Sequence, residues 1–420
     1  MWYKYLIEAL AFMHFNRYLE QKIKQYLTHK KSILLLGPRQ TGKSTLIEDF
    51  LTQNKNKEIL SYKLQNIKIF QSLIKDPTLI ANEVERKLEK VKSLILFIDE
   101  VQKIPILLDD CQYLIDTYKE RILTILTGSS ARKLRQKGVN LLPGRVIVEN
   151  IHPLILPEII NQEEQNIVPL DVKKKYTSKV SLSDLLIYGS LPKIAKETRF
   201  KETELNSYVE NYLQEEIRQE ALTRNLHGFS NFLELAAFES NSSPNLSKLS
   251  QETGIPASTI KNYFDILEDT LNTYTIQPFR KPSRKQILTT PKYIFFDLGV
   301  RNVACHMPLN KQILNTETSG KLFEQFVILE LIRRIKYKHR HWKYYFWRTN
   351  NGLEVDFIIQ TEDEVIPIEI KYTSVPQKNH IKHLEIFMEE YKCKKGYLVG
   401  LFPRAQKLTD KIDAIPWSEI

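Results

Sequence analysis

The chain has 420 residues, a formal net charge of +11 and three cysteines. This length is too great for one hydrophobic core and predicts two or three domains. An apolar fraction of 42% beside 26% charged residues is typical of a globular protein and argues against a disordered chain. The cysteines lie far apart, with no histidine at metal-ligand spacing, which argues against structural zinc and against a disulfide framework.

The N-terminal residues 1–28 begin with an apolar run that Lys4 and Glu8 interrupt. No small-residue cleavage site follows, and no stretch reaches the roughly 18 uninterrupted apolar residues of a membrane span. We therefore expect an amphipathic helix, no membrane insertion and a cytoplasmic protein.

Residues 33–36 form an apolar run typical of a buried parallel strand, and GPRQTGKST follows at 37–45 before a segment with helical spacing. This is the P-loop pattern in its strand–loop–helix context. The glycines let successive backbone N–H groups face phosphate oxygens, Lys43 supplies a charge to the β- and γ-phosphates, and the Ser44 hydroxyl binds Mg²⁺. The pattern predicts ATP and Mg²⁺ as cofactors. The expected nucleotide-contacting residues are Gly37, Pro38, Arg39, Gln40, Thr41, Gly42, Lys43, Ser44 and Thr45.

A second apolar strand, LILFIDE, ends at Asp99 and Glu100. This is the Walker B arrangement, in which Asp99 holds Mg²⁺ through water and Glu100 polarises the attacking water. The other interpretation is an acidic pair that is simply solvated at the end of a strand.

A third strand, near residues 121–130, ends in hydroxyl side chains. Thr127 or Ser129 could sense the γ-phosphate, or this end could be an ordinary turn at Gly128. Further on, Arg145 follows a Pro-Gly turn and is a candidate catalytic arginine, within the chain or across a subunit interface. An exposed surface arginine is the alternative.

The ordered set GPRQTGKST, LFIDEVQKIP, LTGSSARKL, LPGRV and YGSLP resembles prokaryotic AAA-type ATPases of the archaeal-ATPase-like group, which carry a C-terminal domain of unknown function. The resemblance implies an α/β fold: a P-loop AAA+ parallel-sheet domain, a helical lid and winged helix, then an α+β domain like the PD-(D/E)XK nucleases. The expected segments are an N-terminal helix (1–28), the ATPase core (29–160), a linker and helical lid (161–230), a winged helix (231–290) and the nuclease-like domain (291–420).

The segment 246–279 has the pattern of a helix-turn-helix followed by a β-wing, with Gly254 at the turn and Ser258 as the expected N-cap of the second helix. The residues that could face a DNA groove are Ser258, Thr259, Lys261 and Asn262, whereas the acidic residues further along the helix, Asp265, Glu268 and Asp269, would oppose phosphate contact. A packing module is the alternative.

The last hundred residues hold a second chemical pattern. Glu369 and Lys371 stand two apart on a strand and so share a face, Asp356 lies on another strand within GLEVDFII, and Glu324 lies on a preceding amphipathic helix. This resembles the PD-(D/E)XK constellation, in which carboxylates hold Mg²⁺ and a lysine steadies the attacking water. Glu324 matches only by its position on a helix. Cross-strand ion pairs are the alternative.

Between Arg280 and Asn350 there are fifteen Lys and Arg residues against four Asp and Glu residues. This balance suggests that the C-terminal third binds DNA, with the run 333–348 contacting phosphates and Trp342 or Tyr345 stacking on bases. A solvated basic face is the alternative.

Together these patterns predict an ATP-hydrolysing AAA+-type protein that couples turnover to a nucleic-acid or protein partner. The alternatives are an ATP-gated, Mg²⁺-dependent DNA nuclease and a nucleotide-dependent signalling switch without enzymatic activity. The sequence leaves the oligomeric state open.

Overall fold

The computed structural model describes residues 15–129, 142–160, 170, 180–213, 226–280, 290–338 and 341–420. Predictions for residues 1–14, for most of the linker at 161–179 and for the end of the helical lid lie outside these residues. The chain divides into two compact units. The P-loop unit comprises Arg17–His152 with Asp269–Asn272. The C-terminal unit comprises Pro153–Glu268 and Thr273–Ile420, with the described residues before Arg17.

The P-loop unit is a parallel sheet with helices in the connections, as the sequence predicted. Its strands pair in the order β2-β3-β4-β1-β5, every pair parallel. The elements are α1 (Tyr18–Thr28), β1 (Ser32–Leu36), α2 (Lys43–Gln53), β2 (Glu58–Lys63), α3 (Ile67–Lys75), α4 (Leu79–Leu88), β3 (Leu94–Asp99), α5 (Leu107–Tyr118), β4 (Ile122–Gly128) and β5 (Val146–Asn150).

The three central strands, β1, β3 and β4, are buried along their whole length. Continuous apolar runs form such strands because helices cover both faces of a parallel sheet. Since the three strands are parallel neighbours, their carboxyl ends meet at one edge of the sheet. The P-loop, the Asp99–Glu100 pair and Thr127 therefore lie at that same edge.

The C-terminal unit combines a helical part with a mixed sheet. Its elements are α6 (Leu156–Ile159), α7 (Leu182–Tyr188), α8 (Pro192–Lys196), α9 (Lys201–Tyr208) with a π turn (Val209–Leu213), α10 (Leu226–Phe238), α11 (Leu246–Thr253), α12 (Ala257–Asp269), β6 (Thr273–Pro278), β7 (Lys292–Phe295), α13 (Leu298–Ala304), α14 (Thr316–Lys338), β8 (Lys343–Arg348), β9 (Glu354–Gln360), β10 (Val365–Ile370), α15 (Lys382–Tyr391), β11 (Gly396–Gly400), β12 (Gln406–Lys407) and β13 (Ile412–Pro416). The eight strands pair in the order β12-β13-β11-β10-β9-β8-β6-β7.

The helix-turn-helix expected at 246–279 is present as α11 and α12, with Gly254 in the left-handed conformation at φ 68°. The expected N-cap is wrong: α12 begins at Ala257, so Ser258 lies inside its first turn. Strands β6 and β7 pair antiparallel where the wing was expected, and β6 also pairs with β8 in parallel. These two strands are therefore the edge of the eight-stranded sheet of the C-terminal unit.

No helix among the described residues is long and apolar enough to cross a lipid bilayer.

Candidate functional site

The P-loop of Gly37–Ser44 joins β1 to α2 as expected. Gly42 has φ 92° and precedes the helix, which begins at Lys43. Gln40, at φ 59°, takes the second left-handed turn of the loop. The buried Lys43 ammonium donates to the carbonyls of Gly37 and Pro38 at 2.8 and 2.9 Å.

The remaining predicted residues differ in their accessibility. The hydroxyl of Thr41 is buried and donates to the Pro38 carbonyl at 2.8 Å. Arg39 is half-buried, and Thr45 is exposed on the first turn of α2. The loop is therefore organised by its own carbonyl and hydroxyl groups, with Lys43 at its centre.

Asp99, at the end of β3, faces the first turn of α2. The Ser44 hydroxyl donates to its two carboxylate oxygens at 2.9 and 3.2 Å. The Thr127 hydroxyl, at the end of β4, donates to Oδ1 of the same carboxylate and accepts from the Glu100 N–H. A hydroxyl and a carboxylate thus present oxygen atoms to the same space, which is the donor set that Mg²⁺ prefers.

Glu100 lies beside this group and is buried. Its Oε2 accepts hydrogen bonds from the amide of Gln102 and from the hydroxyl of Ser129, which lies 3.2 Å away. Burial alone would raise the pKa of Glu100, but the charge of Lys43 and the Gln102 hydrogen bond outweigh it and lower that pKa, with further contributions from Arg39 and Ser129. The carboxylate is therefore ionised at neutral pH.

Two residues at this edge were not predicted. Gln102 follows Glu100 by two positions, so the local chain geometry keeps the two side chains close together. The DEVQ segment of the sequence could have indicated this residue. Arg17 lies ahead of α1, outside every motif. Its guanidinium is buried and donates to the carbonyls of Thr41 and His152 at 2.6 and 2.7 Å.

Arg145 is held elsewhere by a two-pronged ion pair. Its Nε and Nη2 donate to the Asp116 carboxylate at 2.7 and 2.8 Å, and Nη1 donates to the Pro143 carbonyl. These bonds join it to α5, and none of them reaches the P-loop residues. The structure thus does not bring Arg145 together with Lys43 and Glu100.

The C-terminal unit brings together Glu324, Asp356, Glu369 and Lys371, which we call the acid–lysine cluster. Lys371 Nζ lies 2.6 Å from Glu369 Oε1 and 3.7 Å from Asp356 Oδ2. Asp356 Oδ2 also accepts from the Ile370 N–H at 2.8 Å. Glu369 Oε2 is buried without a hydrogen-bond partner. Two neighbouring antiparallel strands, β9 and β10, place these groups side by side.

A second lysine, which the sequence did not suggest, neutralises the other end of this cluster. The buried Lys292 of β7 lies 2.7 Å from Glu354 and 3.9 Å from Glu324. The Asn241 amide donates to Glu324 at 2.9 Å. In the described part of the chain, no three His, Cys, Asp or Glu side chains are grouped so as to hold a metal ion.

Two carboxyl groups of the cluster have raised pKa values. Burial, followed by the negative charge of Asp356, raises the pKa of Glu324 to about 7 and that of Glu369 to about 8. Burial and the like charge thus outweigh the ion pair between Glu369 and Lys371.

The basic run 333–348 was predicted to contact phosphates, and for its first residues this is wrong. Arg333 and Arg334 lie on α14 and are buried. Arg333 donates to the carbonyls of Leu154 and Phe296 and to the Ser190 hydroxyl, and Arg334 pairs with Glu330. His339 and Arg340 lie outside the described residues. Tyr345 packs edge-on against Phe279 and is half-buried, as is Trp342.

Three family models match the chain in succession. Residues 29–160 match one described as AAA domain. Residues 179–312 and 319–420 match two described as Domain of unknown function, DUF8612 and DUF4143.

The chain is also similar to whole proteins. An uncharacterised protein of Haemophilus influenzae is 24% identical over 377 residues, which is 87% of this chain and 88% of that protein. An uncharacterised protein of Mycobacterium tuberculosis is 20% identical over 357 residues, 84% and 73% of the two chains. Among solved structures, a Walker-type ATPase of Pyrococcus abyssi is 16% identical with a TM-score of 0.44, over 69% of this chain and 96% of that one. AMPPCP-bound DnaA from Aquifex aeolicus has a TM-score of 0.28 at 16% identity, over 60% and 88%.

The P-loop, the acidic strand end and the order of the parallel strands agree with the family match over the same segment. Residues 29–160 therefore form a parallel α/β P-loop domain that is similar to the AAA domain family.

Proposed function

We propose that the protein hydrolyses ATP at the P-loop and couples the turnover to a nucleic-acid or protein partner. The observation that carries the proposal is the contact of Ser44 and Thr127 with Asp99, next to the buried and ionised Glu100. The Ser44 hydroxyl and the Asp99 carboxylate, which could hold a magnesium ion, lie at one edge of one sheet with the P-loop and with Glu100, which could act as a general base.

Each residue has a role that its position supports. Lys43 exchanges its bonds to the loop carbonyls for bonds to the β- and γ-phosphates. Ser44 and Asp99 would hold Mg²⁺, which would neutralise phosphate charge. Glu100 orients the attacking water and accepts its proton. Thr127 bonds to Asp99, and Ser129 bonds to Glu100. Both hydroxyl groups are therefore suited to couple the presence of a γ-phosphate to the position of these acidic side chains. Arg145 would have to leave Asp116, or act on a neighbouring subunit, to contribute.

The test is ATP hydrolysis by the full chain with Mg²⁺. Lys43→Ala is expected to abolish ATP binding and turnover, and Glu100→Gln to lower kcat by about 10²-fold or more while ATP still binds. Lys55→Ala is the matched control, since Lys55 is exposed on the loop after α2. Unchanged hydrolysis in Lys43→Ala would overturn the proposal.

A second candidate function is a nuclease activity at the acid–lysine cluster. The observation that favours it is the convergence of Asp356, Glu369 and Lys371, with one Glu369 oxygen buried and unpartnered. Among the described side chains, those of the cluster form no ready group of three metal ligands.

Incubation of linear and circular DNA with the protein, Mg²⁺ and ATP tests this second function. The expected result is cleavage that Asp356→Asn and Lys371→Met both abolish, whereas Asp363→Asn, at an exposed turn, leaves it unchanged. Absence of cleavage, or cleavage that survives both cluster variants, would contradict it.

A further inference from the structure

The carboxylate of Glu100 is fixed on one side only. Gln102 Nε2 donates to Glu100 Oε2 and also to Ser129 Oγ, 2.8 Å away, and Ser129 Oγ lies 3.2 Å from the same Oε2. The three side chains close a triangle of hydrogen bonds, and all three are buried. The second oxygen, Oε1, takes no part in these bonds.

The backbone around this triangle is built to hold it. Glu100 has φ 61°, a left-handed conformation that is costly for a residue with a side chain, and a short 3₁₀ turn, Val101–Lys103, follows it. This turn directs Gln102 back towards the end of β4. There the lack of a side chain at Gly128 leaves room for the Gln102 amide, since a Cβ at Gly128 would lie 2.9 Å from Gln102 Oε1.

An anchored carboxylate is useful for catalysis only if its orientation matters. A general base must point a lone pair at the attacking water, and a displacement of about 1 Å can cost on the order of 10²-fold in rate. A base with one oxygen tied by two donors and the other left for water satisfies this requirement. The amide of Gln102 has the length and the two hydrogens to bond Glu100 and Ser129 at once.

We propose that Gln102 is the positioning residue for Glu100, and that it locks Glu100 and Ser129 into one unit at the site of water attack. This inference rests on the proposed ATP hydrolysis. It adds a residue outside the Walker pair and predicts how Gln102 and Ser129 depend on each other.

The experiment compares kcat and KM for ATP in the wild type, Gln102→Met, Ser129→Ala and the double variant, all as full chains with Mg²⁺. Methionine keeps the length of the side chain and removes its hydrogen bonds. We expect Gln102→Met to lower kcat by about 10- to 100-fold, with KM and the affinity for a non-hydrolysable ATP analogue within about threefold of the wild type. The double variant should be no more than about threefold slower than Gln102→Met, since both substitutions break one unit.

Gly128→Ala is a second, independent perturbation, because the added methyl group displaces the Gln102 amide without altering it chemically. It should lower kcat in the same way, and it keeps the test valid if Gln102→Met fails to fold. Gln53→Met, at the exposed end of α2, is the matched control and should change neither constant.

A kcat within about threefold of the wild type in Gln102→Met or Gly128→Ala would overturn the inference, as would a loss confined to KM. Glu100→Gln separates this result from a failure of the proposed function. If Glu100→Gln abolishes turnover while Gln102→Met does not, only the positioning role is wrong. If the wild type itself does not hydrolyse ATP, both are wrong.

Discussion

At the scale of single residues, Arg17 stabilises the P-loop from outside the motif. One side chain bonds the Thr41 carbonyl inside the loop and the His152 carbonyl after β5. A buried guanidinium with fixed donors can hold two backbone segments in register, whereas a lysine offers one charge without a fixed fork. The shape of the loop therefore depends on a residue that precedes α1.

We expect Arg17→Ala to destabilise the protein by about 2–4 kcal/mol, because two buried carbonyls lose a charged donor. It should also weaken ATP binding by about tenfold or more, because the loop is no longer preorganised. Urea unfolding and equilibrium binding of a non-hydrolysable ATP analogue measure the two effects. Arg121→Ala is the control: Arg121 also donates to backbone carbonyls, those of Leu88, Val91 and Lys92, and its removal should leave nucleotide affinity unchanged.

Glu369 gives the stability of the protein a dependence on pH. Its pKa is raised to about 8 by burial and by Asp356, whereas an unfolded glutamate ionises near 4.5. Between these values the unfolded chain has released this proton and the folded chain has not. The contribution of Glu369 to stability is therefore fully present below about pH 4.5 and is lost as the pH rises towards 8.

Glu369→Gln should remove this dependence. We expect its free energy of unfolding, relative to the wild type, to rise between about pH 5 and pH 9. Urea unfolding at a series of pH values measures it, with the exposed Glu362→Gln as control. A difference between variant and wild type that stays constant over this range would show that Glu369 is ionised in the folded protein throughout.

Sequence patterns predict the residues whose roles depend on local chain geometry. The P-loop and the Asp99–Glu100 pair belong to this class, because a strand, a turn and a helix in succession place them. Arg17 and Lys292 do not, since their partners lie far away along the chain and no local pattern marks them. The structure has Glu324, Asp356, Glu369 and Lys371 in one cluster, but the sequence could not show that a second lysine faces Glu324 and Glu354.

At the scale of elements, the turn between α7 and α8 shows how the YGSLP segment is fixed. Gly189 has φ 71° and ψ −156°, a region open almost only to glycine. A Cβ there would collide with the Asp297 carboxylate, which caps α13 and accepts from the Ser190 N–H at 2.7 Å. The buried carboxylate thus joins the turn to the start of another helix.

Gly189→Ala is expected to destabilise the protein by more than about 2 kcal/mol, because strain and collision add together. Gly254→Ala is the matched variant. It has a similar φ of 68°, and nothing within 4 Å would meet the new methyl group, so only the backbone cost of about 1 kcal/mol applies. Thermal and urea unfolding of both proteins measure the difference. Equal losses would mean that neither the backbone region of Gly189 nor the Asp297 carboxylate adds a further cost.

Helix α14 explains why the basic run was misinterpreted. A count of charged residues treats Arg333 and Arg334 as exposed charges that could bind a polyanion. The helix, however, extends to Lys338 and is buried over most of its length. Their guanidinium groups therefore satisfy carbonyls and Glu330 inside the unit. Charge counts predict a binding surface only where the element carrying the charge is exposed, and this depends on tertiary packing.

At the scale of the whole molecule, two compact units imply that a ligand of one unit stabilises that unit first. A ligand at 100 times its dissociation constant adds about 2.7 kcal/mol to the state that binds it. We expect an ATP analogue with Mg²⁺ to raise the unfolding temperature of the P-loop unit more than that of the C-terminal unit.

Differential scanning calorimetry with and without the analogue measures this shift, and Lys43→Ala should abolish it. Lys55→Ala should retain it. An equal rise of all transitions in the wild type would mean that the two units unfold as one cooperative body.

The P-loop unit is discontinuous along the chain, since Asp269–Asn272 belongs to it although the flanking segments belong to the C-terminal unit. Leu271 packs against the apolar core of the P-loop unit. On the ribosome, the sheet of this unit is synthesised long before those four residues emerge. The P-loop unit can therefore be completed only after α11 and α12 have been translated. A protein cut between residues 160 and 268 would lose Leu271 from this unit and expose the apolar residues that it covers.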